Sequence, residues 1–296
     1  MGQDGEEAVR RIYIWLNTSL SIRQSRGGEG TRCKYPTRLD TYGCGCEHNC
    51  SYCYARSLLE FRKLWNPEEP RVADIGRIKR RLDRIEKGTI IRMGGMTDCF
   101  QSCEREQRIT LQTIEAMNER GIGYLLVTKS DLVAEDEYLK AMDKDLAHIQ
   151  VSVTSTDPEI SRRYENAPLP EQRIAAIEKL QKEGFDVALR LSPFIPEFVD
   201  MAVINAVEVD KILVEFLRVN GNIKKCFDID YSPYSVSYGN YFHLPLERKL
   251  EALKMVDRNR HSLSVCEDHD EHYEYWKNNL NANSEDCCNL RKRKEI

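Results

Sequence analysis

Apolar residues return along this chain in two alternating rhythms. Short runs rich in β-branched and aromatic residues, at 89–93, 124–128, 148–154, 186–191 and 211–217, are separated by stretches in which apolar positions recur every three to four residues. The first rhythm predicts strands, with one more at 38–43. The second predicts helices over 54–64 (Ala55, Leu58, Leu59, Phe61), 71–87 (Ile75, Ile78, Leu82, Ile85), 104–120, 131–143, 171–183 (Ile174, Ile177, Leu180) and 197–207. Gly88, Gly121 and Gly184 stand where three of these helices end, and Asp157-Pro158 forms an N-cap and first-turn pair. Six strand–helix units in succession predict an α/β protein with a parallel sheet, best matched by a partial (β/α)6 TIM-type barrel. In such a barrel the chemistry lies at the carboxyl ends of the strands.

The rhythm also sets the expected domains. Residues 1–36 read as an N-terminal extension with an apolar run at 12–16 and a flexible loop at 26–30, and 37–218 form the barrel core. Residues 219–296 comprise a Tyr-, Ser- and Asn-rich lid loop to 245, an amphipathic outer helix at 246–260, and a cysteine-containing tail that ends on a basic run.

Composition narrows the class. Hydrophobic content of 41% supplies a core, and 31% charged residues supply a solvated surface. A formal net charge of −4 gives no overall basic footprint for nucleic acid, so such binding would need a local patch. No stretch approaches the length of a membrane span, and residues 1–10 are too polar for a signal peptide. Eleven cysteines in that setting point to metal or redox chemistry rather than disulfides, and to a cytoplasmic location.

The cysteines are not evenly spread. Cys46, Cys50 and Cys53 follow a C-x3-C-x2-C spacing between the first strand and the first helix. Three thiolates on one short loop can ligate three irons of a [4Fe–4S] cluster and leave the fourth open. The competing reading is a structural zinc site that adds His48 or Cys44, although zinc sites usually pair C-x2-C motifs and no clean second pair follows.

With its flanks Gly45, Ser51, Tyr52, Tyr54, Ala55 and Arg56, this loop resembles the cluster motif of radical SAM enzymes. More narrowly, it resembles the branch that includes spore photoproduct lyase, over roughly residues 37–200. The resemblance implies a [4Fe–4S] cluster on Cys46, Cys50 and Cys53, with S-adenosylmethionine as second cofactor and a reductant such as flavodoxin or ferredoxin as partner. It implies one-electron cleavage of the cofactor to a 5′-deoxyadenosyl radical that abstracts hydrogen from substrate. It places Tyr52 beside the adenine, Tyr54 toward substrate, Gly94, Gly95, Thr97 and Asp98 at the methionine end, and Lys129 near the cofactor carboxylate. Ser152 and Thr154, two apart on one face of a strand, suit ribose hydroxyls or the carboxylate. Arg190 and Ser192 share a face on the next strand, where a buried arginine calls for an anionic partner.

One position departs from the resemblance. The lyases carry a hydrogen-donating cysteine just before the Thr-Asp pair, and Met96 stands there instead. A thioether has no hydrogen to give, which leaves Cys99 and Cys103 as candidate donors and counts against photoproduct repair. The expected substrate is a nucleobase or nucleotide, or DNA, with peptide or small-metabolite modification as the alternative. A non-enzymatic zinc or iron–sulfur protein is the reading from a different class. Cys266, Cys287 and Cys288, with Cys226 as a fourth, are candidates for an auxiliary iron–sulfur cluster, and Cys33 reads as a free thiol.

Overall fold

A computed structural model describes residues 22–24 and 32–292. The runs expected at 12–16 and 26–30, and the last two basic residues, Arg293 and Lys294, lie outside the described residues. The main sheet has eight strands: β1 (Arg23–Gln24), β2 (Thr37–Leu39), β3 (Ile90–Met93), β4 (Gly123–Thr128), β5 (Ala147–Ser152), β6 (Asp186–Phe194), β7 (Lys211–Phe216) and β8 (Ser262–Val265). Their spatial order is their chain order. Strands β2 to β8 pair in parallel, and β1 adds antiparallel to β2. This is the partial TIM-type barrel expected from the alternation, with one strand more than the six units counted in sequence.

The extra strand is β8, inside what reads as a tail. It pairs with β7 through Leu263↔Ile212 and Val265↔Val214, and both valines are fully buried. Parallel strands covered on both sides become continuously apolar, and the central β5 is buried along its whole length.

Helices α1 (Tyr54–Phe61), α2 (Ile75–Leu82), α3 (Ile109–Glu119), α4 (Asp136–Ala141), α5 (Pro158–Tyr164), α6 (Pro170–Lys182), α7 (Met201–Ala206), α8 (Leu246–Leu253) and α9 (Asp270–Asn279) fill the connections. In α6 the buried residues Arg173, Ala176, Ile177 and Leu180 follow the helical repeat, and Gly184 (φ +84°) closes it. Among the described residues no helix is long and apolar enough to cross a membrane.

Several segments differ from the sequence expectation, among them the outer helix expected over 246–260, which ends at Leu253. Residues Arg71–Val72 form a short strand against Tyr42–Gly43, so the helix expected from 71 begins only at Ile75. The helix expected over 104–120 breaks at Arg108, whose φ of +53° is left-handed. The buried Glu104 explains the break, because its carboxylate accepts from the amides of Thr110 and Leu111 and so caps α3. The lid loop is partly regular, with a helical turn at Ile223–Cys226 and a hairpin of Val236–Tyr238 with Tyr241–His243.

Candidate functional site

The cysteine loop leaves the sheet just after β2 and is folded by its own backbone. Asn49 N donates to Cys46 O (2.9 Å) and Cys53 N to Cys50 O (3.2 Å), two successive turns that bring the three thiols together. The loop is fixed from two sides. Ser51 N donates to Tyr164 O and Asn166 N to His48 O, while Glu47 accepts from Cys103 N (2.7 Å). Gly45 is required before Cys46, since a Cβ there would lie 1.8 Å from Asn66 O. Cys53 caps α1, its sulfur accepting from Arg56 N.

Cys46, Cys50 and Cys53 open onto one cavity of about 120 Å³. Its other walls are the carboxyl ends of neighbouring strands: Gly94 to Asp98 after β3, Thr128 and Lys129 at β4, and Ser152 at β5. Burial, then the nearby Asp98 carboxylate, pushes the Cys46 thiol well up, and burial raises Cys50 to about 12. Thiols held in this way become thiolates only against strong positive charge, which a metal centre provides. Cys44 does not line the cavity, and His48 Nε2 lies 3.2 Å from Asp98 Oδ2. The three thiolates therefore fit a cluster with one open position, and His48, which also lines the cavity, faces Asp98.

The segment after β3 is built around Gly94. Its φ is +82°, and a Cβ would meet Val127 O at 2.1 Å, so only glycine lets β3 run this close to β4. Asp40, which sequence reading missed, accepts from Gly95 N (3.1 Å) and Met96 N (2.8 Å), and Gly95 O accepts the Tyr54 hydroxyl.

Several expected roles change here. The Asp98 carboxylate accepts from Phe100 N, Thr128 Oγ1 and Lys129 N at 2.7–2.8 Å, besides facing His48. Burial would raise its pKa, but the His48 charge and these bonds outweigh that and hold it at about 2. Asp98 thus fixes the ends of β3 and β4 rather than presenting a free oxygen to an ammonium group. Thr97 donates its hydroxyl proton to Tyr42 O (2.5 Å) and lines the cavity with its oxygen still able to accept. Cys99 is 1% exposed and packed in the core, and neither it nor Cys103 lines the cavities beside the three thiols. The wall position is Met96.

A second hub escaped sequence reading altogether. Glu165, just past α5, accepts from Tyr52 Oη, from Thr154 Oγ1 (3.0 Å), from Ser161 Oγ (3.0 Å) and from the fully buried Arg173 guanidinium. Burial opposes its ionisation, yet Arg173 and then Lys129 hold its pKa at about 2. Thr154 is therefore committed to Glu165 and lines only a smaller neighbouring cavity. Tyr52 is packed edge-on against Phe227 at 5.5 Å, with Lys129 Nζ 5.5 Å from its ring centre.

Ser192, but not Arg190, lines a second cavity of about 130 Å³ that shares Cys50, Cys53, Tyr54 and Lys129 with the first. Ser192 Oγ donates to Glu215 Oε2 (2.8 Å), and Arg190 pairs with the same carboxylate and with Gln150 Oε1 (2.6 Å). The anionic partner that Arg190 calls for is thus internal. Arg218 lies over the rings of Tyr54 (5.3 Å) and Tyr241 (5.1 Å) and is paired with Asp268. No local motif marks Glu165, Glu215 or Arg218. Only the strand face shared by 213 and 215 hinted that Glu215 points inward. Cys226 is exposed on its helical turn. Cys266, Cys287 and Cys288 pack into one small cluster with Tyr35, Leu125 and Leu213.

The comparisons with known proteins agree with this geometry. The family model described as "Radical SAM superfamily" matches residues 41–208. A Mycobacterium tuberculosis protein, Rv2578c, is 28% identical over 168 residues, covering 53% of this chain and 49% of its own length. The chain thus spans about half the length of this curated relative. Among solved structures, spore photoproduct lyase complexed with dinucleoside spore photoproduct superposes with a TM-score of 0.60 at 15% identity, covering 80% of this chain and 75% of that one. Streptococcus suis SuiB bound to S-adenosylmethionine gives 0.53 at 12% identity, covering 79% and 51%.

Proposed function

The chain belongs to the radical SAM superfamily, a superfamily of enzymes, and from that premise we propose that it binds a [4Fe–4S] cluster and S-adenosylmethionine and abstracts hydrogen from an organic substrate. The carrying observation is the cavity into which Cys46, Cys50 and Cys53, and no other cysteine, open beside the ends of β3, β4 and β5. When bound, the cofactor pair supplies one-electron cleavage of a carbon–sulfur bond and, from it, hydrogen-atom abstraction.

The chain's own residues supply placement. Cys46, Cys50 and Cys53 hold three irons. Lys129, on the wall shared by both cavities, neutralises the cofactor carboxylate, and Ser152 offers a hydroxyl at the end of β5. Asp40 and Tyr54 hold the 94–96 backbone in position from either side. Packing of Tyr52, Tyr54, Phe216 and Leu217 around the second cavity keeps water from the reacting carbon. The electron donor in this reading is a protein of the flavodoxin or ferredoxin kind.

The substrate class we favour is a nucleobase or nucleotide. Support comes from the wall of the second cavity, which carries the Tyr52 and Tyr54 rings, groups of the kind on which bases stack. The lyase neighbour has a dinucleoside photoproduct bound. Met96 at the donor position, with Cys99 and Cys103 away from both cavities, weighs against photoproduct repair itself.

The test is anaerobic iron analysis and EPR of wild type beside the Cys46→Ala/Cys50→Ala/Cys53→Ala variant, with dithionite and S-adenosylmethionine. A reduced [4Fe–4S] signal that shifts with the cofactor, and release of 5′-deoxyadenosine by wild type alone, supports the reading. Zinc in place of iron with no cofactor cleavage would overturn it.

A further inference from the structure

Three thiols outside the cysteine loop pack into one small group, and a fourth, Cys33, stands beside it. Cys288 packs against Leu125 of β4 and Leu213 of β7, three strands apart, so it lies across the barrel interior. Cys266, the residue after β8, and Cys287 belong to the same packed group. Cys33, on the segment leading into β2, accepts through its sulfur from Tyr35 N (3.4 Å), and Tyr35 packs against the same group. All four are free thiols.

Cys287 and Cys288 are adjacent in the chain and sit in a tight turn. Asp286 gathers the turn: its side chain accepts from Cys288 N (3.0 Å) and Leu290 N (3.1 Å), and its carbonyl accepts from Asn289 N (2.9 Å). Asn289 takes a left-handed φ of +47°. Tyr35 Oη donates to the same carboxylate (2.7 Å), which ties the Cys33 segment to the turn. The tight turn brings both neighbouring thiols into one group.

The charges around the group match anionic sulfur. Arg92 and Arg190 both lie within electrostatic reach of Cys288, and Arg190 is 3% exposed. Arg190 shares one carboxylate, Glu215, with Ser192. Buried guanidinium groups favour neighbouring negative charge, and thiolates bound to a metal carry it.

The competing metal group is less favourable. Among the described residues, the donors that all lie within 4.8 Å of one another are those of His243, Glu267 and Asp268. There Lys249 already pairs with Glu267 and Arg218 with Asp268, so no negative charge is left for a cation. The four thiols stand at wider spacing, as the three loop thiols do.

We propose that Cys33, Cys266, Cys287 and Cys288 form a second, thiolate-ligated metal centre for a thiophilic metal, either zinc or iron with sulfide. Soft thiolate donors select these metals over magnesium or calcium. Cys33 takes the place that the sequence gave to Cys226. The site is independent of the loop cluster and of the proposed activity.

The experiment uses the full chain with Cys46→Ala/Cys50→Ala/Cys53→Ala, purified anaerobically, with zinc, iron and sulfide measured per chain. The expected result is roughly one zinc, or roughly two to four irons with sulfide, retained in this variant and lost when Cys266→Ser/Cys288→Ser is added. Zinc or iron identifies the metal. A triple variant that is folded by circular dichroism yet metal-free, with the four thiols alkylated or joined as a disulfide in mass spectrometry, overturns the proposal. Cys33→Ser in the wild-type background guards against misfolding of the multiple variants. It should lower total metal by the second-site amount while the loop-cluster EPR signal persists, and unchanged metal in that variant also overturns the proposal. Loss of the loop signal in wild type would instead defeat the proposed function and leave this site standing.

Discussion

Cys50 Sγ and Glu165 Oε2 lie 3.9 Å apart, both buried, although 115 residues separate them in the chain. The carboxylate that anchors Tyr52, Thr154, Ser161 and Arg173 therefore also stands beside a proposed cluster ligand. Its fixed negative charge disfavours adding an electron nearby. Glu165→Gln should raise the midpoint potential of the reconstituted cluster, followed by EPR-monitored titration. The same variant strands the Arg173 guanidinium and should cost about 3–5 kcal/mol in urea unfolding.

Acid should act on this hub in a defined window. The folded-state pKa of Glu165 is lowered from 4.5 to about 2, and that of Asp98 from 3.8 to about 2. A depressed carboxylate pKa contributes stability that is present above the unfolded value and lost as pH falls through the folded one. Stability should therefore drop between about pH 4.5 and pH 2. Urea midpoints measured across that range should fall less steeply for Glu165→Gln than for wild type.

Gly94 and Gly184 have nearly the same φ, +82° and +84°, but only Gly94 faces backbone within 4 Å. Gly184→Ala should cost about 1 kcal/mol, the expense of a left-handed alanine. Gly94→Ala should cost more than that, because Val127 O must move, and it should also weaken S-adenosylmethionine binding. Thermal unfolding and calorimetric titration of the pair separate backbone strain from collision.

The charge on Lys129 is predicted to be worth about 1.5–3 kcal/mol of cofactor binding, the range for a hydrogen bond to an ionised group. Lys129→Ala should thus weaken S-adenosylmethionine binding by roughly tenfold to a hundredfold. Lys129→Arg should recover part of it. Equilibrium binding to the anaerobic protein is the measurement.

Thiol accessibility should sort the remaining cysteines. Cys226 is exposed and should react first with iodoacetamide in the native protein, while Cys99, at 1% exposure, should stay unmodified until the chain unfolds. Met96→Cys should add a new reactive thiol, since Met96 lines the cavity and Cys99 does not. Peptide mass mapping over time reads all three.

What the sequence could and could not reveal follows from the range of the interactions. The barrel was legible because each βα unit carries its own periodicity and stop signals, as with Leu180 and Gly184 in and after α6. The three loop cysteines were legible because eight residues contain them. Strand β8 was not, because Ser262–Val265 is four residues long and its partner β7 ends 46 residues earlier. Glu165 sits in no motif, and its importance comes from partners on four separate segments. Cys33 looked like a lone thiol because Cys266, Cys287 and Cys288 lie more than 230 residues away in sequence.

Because spatial order in the sheet equals chain order, the walls around the cysteine loop are synthesised after it. A ribosome adding about 5–20 residues per second leaves Cys50 without Glu165 for roughly 6–23 s. During that interval the loop has neither its β4 and β5 walls nor the carboxylate behind it. The later strands therefore close over a loop that was made before them.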